Sequence, residues 1–208
     1  QGSPEQKLAD LYKLAMDSAR REREGLAPVM GIIKKLEVAK TKEQLFAIQL
    51  EEEPYGEQEF FGAYIAADEK NATQNILNIY QSGLTLGQKD YYVENDEATT
   101  KIRDAYKQYI VRMFQLLGFK KSAAQKKMQN ILKVETALAK VSKSRTELRD
   151  PIANYNKMTL QEFNDKYPHF QLEKQCNASG IKSQYIQEMI VGQPDFMAAA
   201  DQLFATMK

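Results

Sequence analysis

Helical spacing over residues 96–141 constrains the fold of this chain more than any other feature. Ile102, Ala105, Tyr106, Tyr109, Met113, Leu116 and Leu117 recur three and four residues apart, which predicts one long helix from Asp96 to Leu117 closed by Gly118. A second long pattern follows directly, with Ser122 as its expected cap and Met128, Ile131, Leu132, Val134, Ala137, Leu138 and Val141 on its apolar stripe. Two neighbouring helices of this length commit the chain to a mainly α fold.

The rest of the sequence agrees. Leu8, Leu11, Tyr12, Ala15, Met16 and Ala19 keep helical spacing up to Gly25, a residue suited to a left-handed cap. Val29, Ile32, Ile33 and Leu36 form a stripe after Pro28, and Thr41 with Gln44 has capping-box spacing ahead of Leu45, Ile48 and Leu50. Pro54 is expected to end that helix behind the acidic run Glu51, Glu52 and Glu53. Asp150-Pro151 places a proline where helices favour one, and Thr159 with Glu162 repeats the capping-box pattern of a short helix that Pro168 breaks. Ser183 and Gln193-Pro194 are read as the starts of two more short helices.

One segment departs from this pattern. Between residues 58 and 82, Phe60, Phe61, Tyr64 and Ile65, then Ile76, Leu77, Ile79 and Tyr80, flank a polar stretch from Asp68 to Gln74, a β-hairpin reading with a long connection. No repeat, low-complexity tract or linker divides the chain, so the expectation is one helical domain over residues 1–208 with a single hairpin.

Composition limits the chemistry. With 29 basic and 28 acidic residues the net charge is +1, without the basic excess of a nucleic-acid-binding protein. No apolar run is long enough to span a bilayer, and the first apolar segment is too charged for a signal peptide. The single histidine, His169, has no companions at metal-ligand spacing and reads as a surface or half-buried side chain; the single cysteine, Cys176, reads as a small buried or half-buried one. Glu51, Glu52, Glu53, Glu57 and Glu59 lack a calcium-loop pattern and read as a solvated run, while Asp68, Glu69 and Asn71 fit the demands of a turn. Phe60, Phe61, Tyr64, Tyr80, Tyr91 and Tyr92 could line a cavity, but their spacing suits a core better. Asn71-x-Thr73 and Asn177-x-Ser179 match the glycosylation sequon, which matters only in a eukaryotic secretory setting.

The run Arg149-Asp150-Pro151-x-x-x-Tyr155-Asn156-Lys157-Met158-Thr159 resembles a signature of the neprilysin-like (M13) zinc metallopeptidases, in the N-terminal half of their ectodomain. Further stretches resemble the same family in the same order. They are Leu11-Tyr12 with Met16-Asp17, Gly25-Leu26-x-Pro28, Asp68-x-Lys70-Asn71, Gly83-Leu84-x-Leu86-x-x-x-Asp90-Tyr91-Tyr92 and Glu135-x-x-Leu138-Ala139, collinear over residues 8–166. The sparse cysteine suits a bacterial relative better than a cysteine-rich secreted animal one.

The resemblance implies a helical cap lobe that closes over a thermolysin-like catalytic lobe, admits peptides and excludes folded proteins. It also implies zinc held downstream by H-E-x-x-H and a later glutamate, and an extracytoplasmic setting. None of those ligands is present here, so this chain is expected to hold no zinc and no catalytic residue. The substrate-carboxylate arginine of some members lies upstream of the matched segment and is not carried onto Arg20, Arg21 or Arg23.

The matched residues Tyr12, Asp17, Gly83, Asp90, Tyr91, Tyr92, Arg149, Asp150, Pro151, Tyr155, Asn156 and Met158 are expected to be structural. Asp150 should bond free amides at a helix start, Arg149 should fork onto a carboxylate, and Tyr155 and Asn156 should lock the turn through backbone bonds. The expected partners are a downstream catalytic lobe of the same polypeptide, which the still-amphipathic stripe Phe196, Ala199, Ala200, Leu203, Phe204 and Met207 suggests, and enclosed peptides. The other reading is a stand-alone helical module that binds a peptide or protein without catalysis.

Overall fold

The computed structural model describes residues 2–52 and 61–206. The expectations placed on Glu53, Pro54, Glu57, Glu59, Phe60 and Met207 lie outside those residues. By its contacts the chain divides into two compact units, residues 1–48 and 49–208.

The first unit holds α1 (Pro4–Met16), α2 (Ser18–Glu24), α3 (Met30–Val38) and most of α4 (Lys42–Glu52). Residues 8–24, read as one helical pattern, are split at Asp17. Its N–H closes α1 on the Leu14 carbonyl, and its Oδ1 accepts the Arg20 N–H at 2.8 Å to open α2. Gly25 ends α2 at φ +51° and ψ −121°, a positive-φ conformation that glycine adopts freely but not the left-handed helical cap expected of it. The expected capping box of α4 is present: the Gln44 N–H reaches Thr41 Oγ1 at 3.2 Å, and Gln44 Oε1 accepts the Thr41 N–H at 3.3 Å. No residue of α1, α2 or α3 is buried.

The second unit contains a four-stranded sheet of β1 (Phe61–Asp68), β2 (Asn71–Gln81), β3 (Lys157–Thr159) and β4 (Glu188–Val191) in the order β1-β2-β4-β3. The hairpin β1–β2 is antiparallel, with Phe61 opposite Gln81 and Tyr64 opposite Asn78. Its connection is a two-residue turn at Glu69 and Lys70, shorter than the polar stretch suggested, because β2 already begins at Asn71. The register shifts between Ala67 and Asp68, a bulge that turns Asp68 inward.

The hairpin is not alone. β4 pairs parallel with β2, and β3 pairs antiparallel with β4. A parallel partner needs a long crossover, and here it runs through α5 (Asp90–Val93), α6 (Glu97–Leu116), α7 (Lys121–Val141), α8 (Leu160–Lys166) and α9 (Leu172–Ala178). Ser183 opens only a single 3-10 turn, and Pro194 starts α10 (Pro194–Thr206), a longer helix than expected. The start of α7 also differs: the helix begins at Lys121 behind Lys120, and Ser122 does not cap it.

Two cores result. One face of the sheet, through Leu77, Ile79, Met189 and Val191, packs with Phe163, Leu172, Phe196, Met197 and Phe204 of α8, α9 and α10. Tyr92, Tyr106, Ile110 and Ala139 hold α5, α6 and α7 together. Helix α7 serves both, because Leu138 faces the first core and the adjacent Ala139 the second. No helix among the described residues is long and apolar enough to cross a membrane.

Candidate functional site

The polar groups that organise the second unit gather where the hairpin turn meets residues 144–157. Asp68 is 1% exposed although it sits at the end of a strand. Its Oδ1 accepts the Lys70 N–H at 2.9 Å and the Tyr155 hydroxyl at 2.8 Å, and its Oδ2 lies 3.4 Å from Lys157 Nζ. Lys157 also reaches Glu188 Oε2 on β4 at 2.9 Å, and Lys70 Nζ sits 4.0 Å over the Tyr155 ring. The Lys70 amide first, then Tyr155 and Lys157, hold the Asp68 carboxyl below the usual carboxylate range against the opposing effect of burial. Burial first, then Asp68, pushes the Tyr155 hydroxyl up, and Glu188 with Asp68 raises the Lys157 ammonium. Sequence spacing assigns Tyr155 to its own turn; the structure sends its hydroxyl to Asp68, a contact that local reasoning does not reveal.

The loop that carries Tyr155 is held by a chain of amide contacts. Ser144 and Glu147 cap one another, with the Ser144 N–H 2.7 Å from Glu147 Oε2. Asp150 Oδ1 accepts the N–H groups of Ile152 and Ala153 at 2.9 and 3.0 Å. That is the expected amide capping, but after Pro151 the chain makes only a turn, not a helix. Asn154 Nδ2 donates to the Asp150 carbonyl at 2.7 Å, and its Oδ1 accepts Gln193 Nε2 at 3.0 Å. Asn156 Nδ2 donates to the carbonyls of Ala153 and Val191 at 3.1 and 3.0 Å, locking the turn as expected and tying it to β4. Gln81 continues the chain: its side chain pairs with both backbone groups of Lys143, and its N–H reaches Gln193 Oε1 at 2.8 Å. Gln81, Gln193 and Glu188 carry no sequence signal of these roles, since each depends on a partner at least 31 residues away. Met158 is a core residue.

The Gly83-to-Tyr92 stretch has a separate task. Gly83 takes φ +86°, and the Tyr92 hydroxyl accepts the Leu86 N–H at 2.9 Å. Asp90 lies in the first turn of α5, and Tyr91 and Tyr92 offer their carbonyls to Arg103 at 3.2 and 2.8 Å. Below them, buried Glu135 receives three donors on Oε1: the Thr85 N–H at 3.2 Å, the Thr85 hydroxyl at 2.6 Å and the Tyr106 hydroxyl at 3.1 Å. Burial pushes the Tyr106 hydroxyl up to about 12 and raises that of Tyr92 further. Tyr12 is exposed, and Asp17 caps α2, both within the first unit.

These residues do not fit zinc. His169 Nδ1 lies 2.7 Å from Asp201 Oδ2 and its N–H bonds Asp201 Oδ1, a two-residue contact that ties a loop to α10. Among the described residues no three His, Cys, Asp or Glu side chains converge as a metal site would need.

Arg149 and the tyrosines Tyr64 and Tyr80 differ from expectation. Arg149 forks onto no carboxylate of the described residues, and the tyrosines are 53% and 42% exposed, their rings 5.7 Å apart. Together with Glu69, Asn154 and Gln193 they line a cavity of about 440 Å³ on the sheet face opposite the main core.

The sequence profile of Peptidase family M13 matches residues 1–208. The chain belongs to this family. It corresponds to the N-terminal region of M13 peptidases, as the order of the short matches indicated. Endothelin-converting enzyme 1 of Cavia porcellus is 33% identical over 172 residues, which cover 79% of the chain and 22% of that protein; the Homo sapiens enzyme gives the same figures. The zinc metalloprotease Zmp1 of Mycobacterium tuberculosis, solved with an inhibitor, superposes at a TM-score of 0.90 with 26% identity, over 99% of the chain and 31% of its own. PepO of Lactobacillus rhamnosis shares the fold at a TM-score of 0.71 and 19% identity. The chain therefore spans less than a third of the length of these relatives.

Proposed function

We propose that residues 1–208 form the helical cap region of an M13 zinc metalloendopeptidase, part of the wall that encloses peptides and keeps folded proteins out. The observation that carries this reading is the match to Zmp1 over 99% of the chain but 31% of that protein, in a chain with one histidine and, among the described residues, no convergent metal donors. A region of this kind supplies shape, not chemistry. The parent reaction would be hydrolysis of a peptide bond, with zinc and its ligands supplied by a downstream catalytic lobe. The clamp of Asp68, Tyr155 and Lys157 and the amide chain through Asn154, Asn156 and Gln193 would keep the wall rigid while that lobe turns over substrate. The same reading makes both compact units parts of one lobe, gives them the catalytic lobe as partner, and sets the protein outside the cytoplasm, in the periplasm, on the cell surface or secreted.

The test is to follow the reading frame beyond Lys208 and to assay this chain alone. The reading expects several hundred further codons that include H-E-x-x-H, with neither stoichiometric zinc nor peptide hydrolysis in the isolated chain. A stop within a few codons would leave a binding module without catalysis.

A further inference from the structure

We propose that the cavity between the outer sheet face and residues 148–154 is a binding site for short zwitterionic peptides, with Arg149 holding the terminal carboxylate and Glu69 the ammonium group. The ligand class draws on the peptidase reading; the cavity itself does not. Folding leaves Arg149 without a partner among the described residues because its acidic neighbours are engaged elsewhere. Asp150 Oδ1 is spent on two backbone amides, Glu147 Oε2 on Ser144, and Asp68 on Lys70, Tyr155 and Lys157. Glu69 lines the same cavity and makes no ion pair with Arg149. One group of each sign in one cavity, each unpaired among the described residues, complements a molecule that carries both charges better than a simple anion. A guanidinium also presents the forked donors that a carboxylate accepts two at a time.

The same cavity is lined by Tyr64 and Tyr80, whose exposed faces can cover an apolar or aromatic side chain. The volume, about 440 Å³, falls in the range of small-ligand pockets and suits a peptide of two or three residues. The walls are preset. Asn154 is fixed by the Asp150 and Glu147 carbonyls and by Gln193, and Tyr80 lies across Gly62, where a Cβ would stand 2.1 Å from its ring. Little ordering is left for a ligand to impose.

The experiment is an NMR titration of this chain with the tripeptide Ala-Phe-Ala, its N-acetyl form and its C-terminal amide, repeated with Arg149→Gln, Arg149→Lys and Glu69→Gln. Arg149 and Glu69 are exposed, and the amide spectrum of each variant reports directly whether the fold is kept. The free tripeptide should shift the amides of Tyr64, Tyr80 and Gly192. The C-terminal amide and Arg149→Gln should each weaken binding about tenfold, with Arg149→Lys between. Glu69→Gln should weaken the free tripeptide but leave the N-acetyl form unchanged. Shifts confined to other surfaces, or equal affinity for the three peptide forms, overturn the inference. Peptide hydrolysis by a longer protein whose cavity ignores all three would sink only this site. Binding here with no peptidase activity in the longer protein would sink the cap reading instead.

Discussion

Replacing Glu135 with leucine should be among the most damaging single changes to the α5–α7 core. The leucine fits the space but removes the oxygen that accepts the Thr85 N–H, the Thr85 hydroxyl and the Tyr106 hydroxyl. Each buried donor left without an acceptor costs about 1–3 kcal/mol. The hydroxyls can recover part of this by rotating; the amide of Thr85 cannot. Against the loss stands relief from burying a carboxylate whose other oxygen, Oε2, has no partner. The net should be about 3 kcal/mol, a fall in Tm of roughly 6–12 °C for a unit of this size. Tyr106→Phe removes one of the three bonds and should cost about 1 kcal/mol. Urea unfolding followed by circular dichroism measures both. If Glu135→Leu unfolds within about 0.5 kcal/mol of the unmodified chain, a typical surface-substitution effect, the Glu135 cluster is not what holds the Gly83-to-Tyr92 stretch to α6 and α7.

Other consequences follow from the clamp, the sheet and the core. Asp68 has a folded pKa below its ordinary value, so its contribution to stability is present above that value and is lost as pH falls through the folded one. Tyr155→Phe removes a donor to the carboxylate and should move the onset of acid unfolding to higher pH, readable by circular dichroism across an acid titration; an unmoved onset would deny the clamp its role. Gly62→Ala should force the Tyr80 ring away from its place across the strand, changing the Tyr64 and Tyr80 ring signals in NMR spectra and weakening tripeptide binding, with the sheet retained. Phe163→Ala, at a fully buried position in the main core, should cost about 3–5 kcal/mol in the same urea assay.

What the sequence disclosed and what it withheld divide along a physical line. Features set by neighbours within one turn were legible: the Thr41–Gln44 and Thr159–Glu162 capping boxes, the stops at Gly25 and Gly118, and the amide capping by Asp150. Features set by distant partners were not. The run Met189-Ile190-Val191 is too short to separate strand from helix by periodicity, and it becomes β4 only because β2 and β3 flank it. Tyr155 looks like a turn residue until the bulge at Ala67 and Asp68 delivers a buried carboxylate to it. Tyr64 and Tyr80 carry the residue types of a core strand yet face the outer side of the sheet, since alternation places them opposite Phe61, Leu77 and Ile79. That Arg149 stays unpaired among the described residues could not be foreseen either, because it depends on where Asp150 and Glu147 spend their oxygens. The M13 matches were legible as strings; that two of them, Asp68-x-Lys70 and Tyr155-x-Lys157, meet in space required the fold.

The most direct test of the central claim compares two proteins on two substrates: this chain, and the same chain continued through its reading frame, each given a quenched short peptide and a folded globular protein. The cap reading predicts that the continued protein cleaves the peptide in a chelator-sensitive manner, spares the folded protein, and that residues 1–208 alone cleave neither. Chelator-sensitive cleavage of the peptide by residues 1–208 alone, or equal cleavage of both substrates by the continued protein, would contradict it.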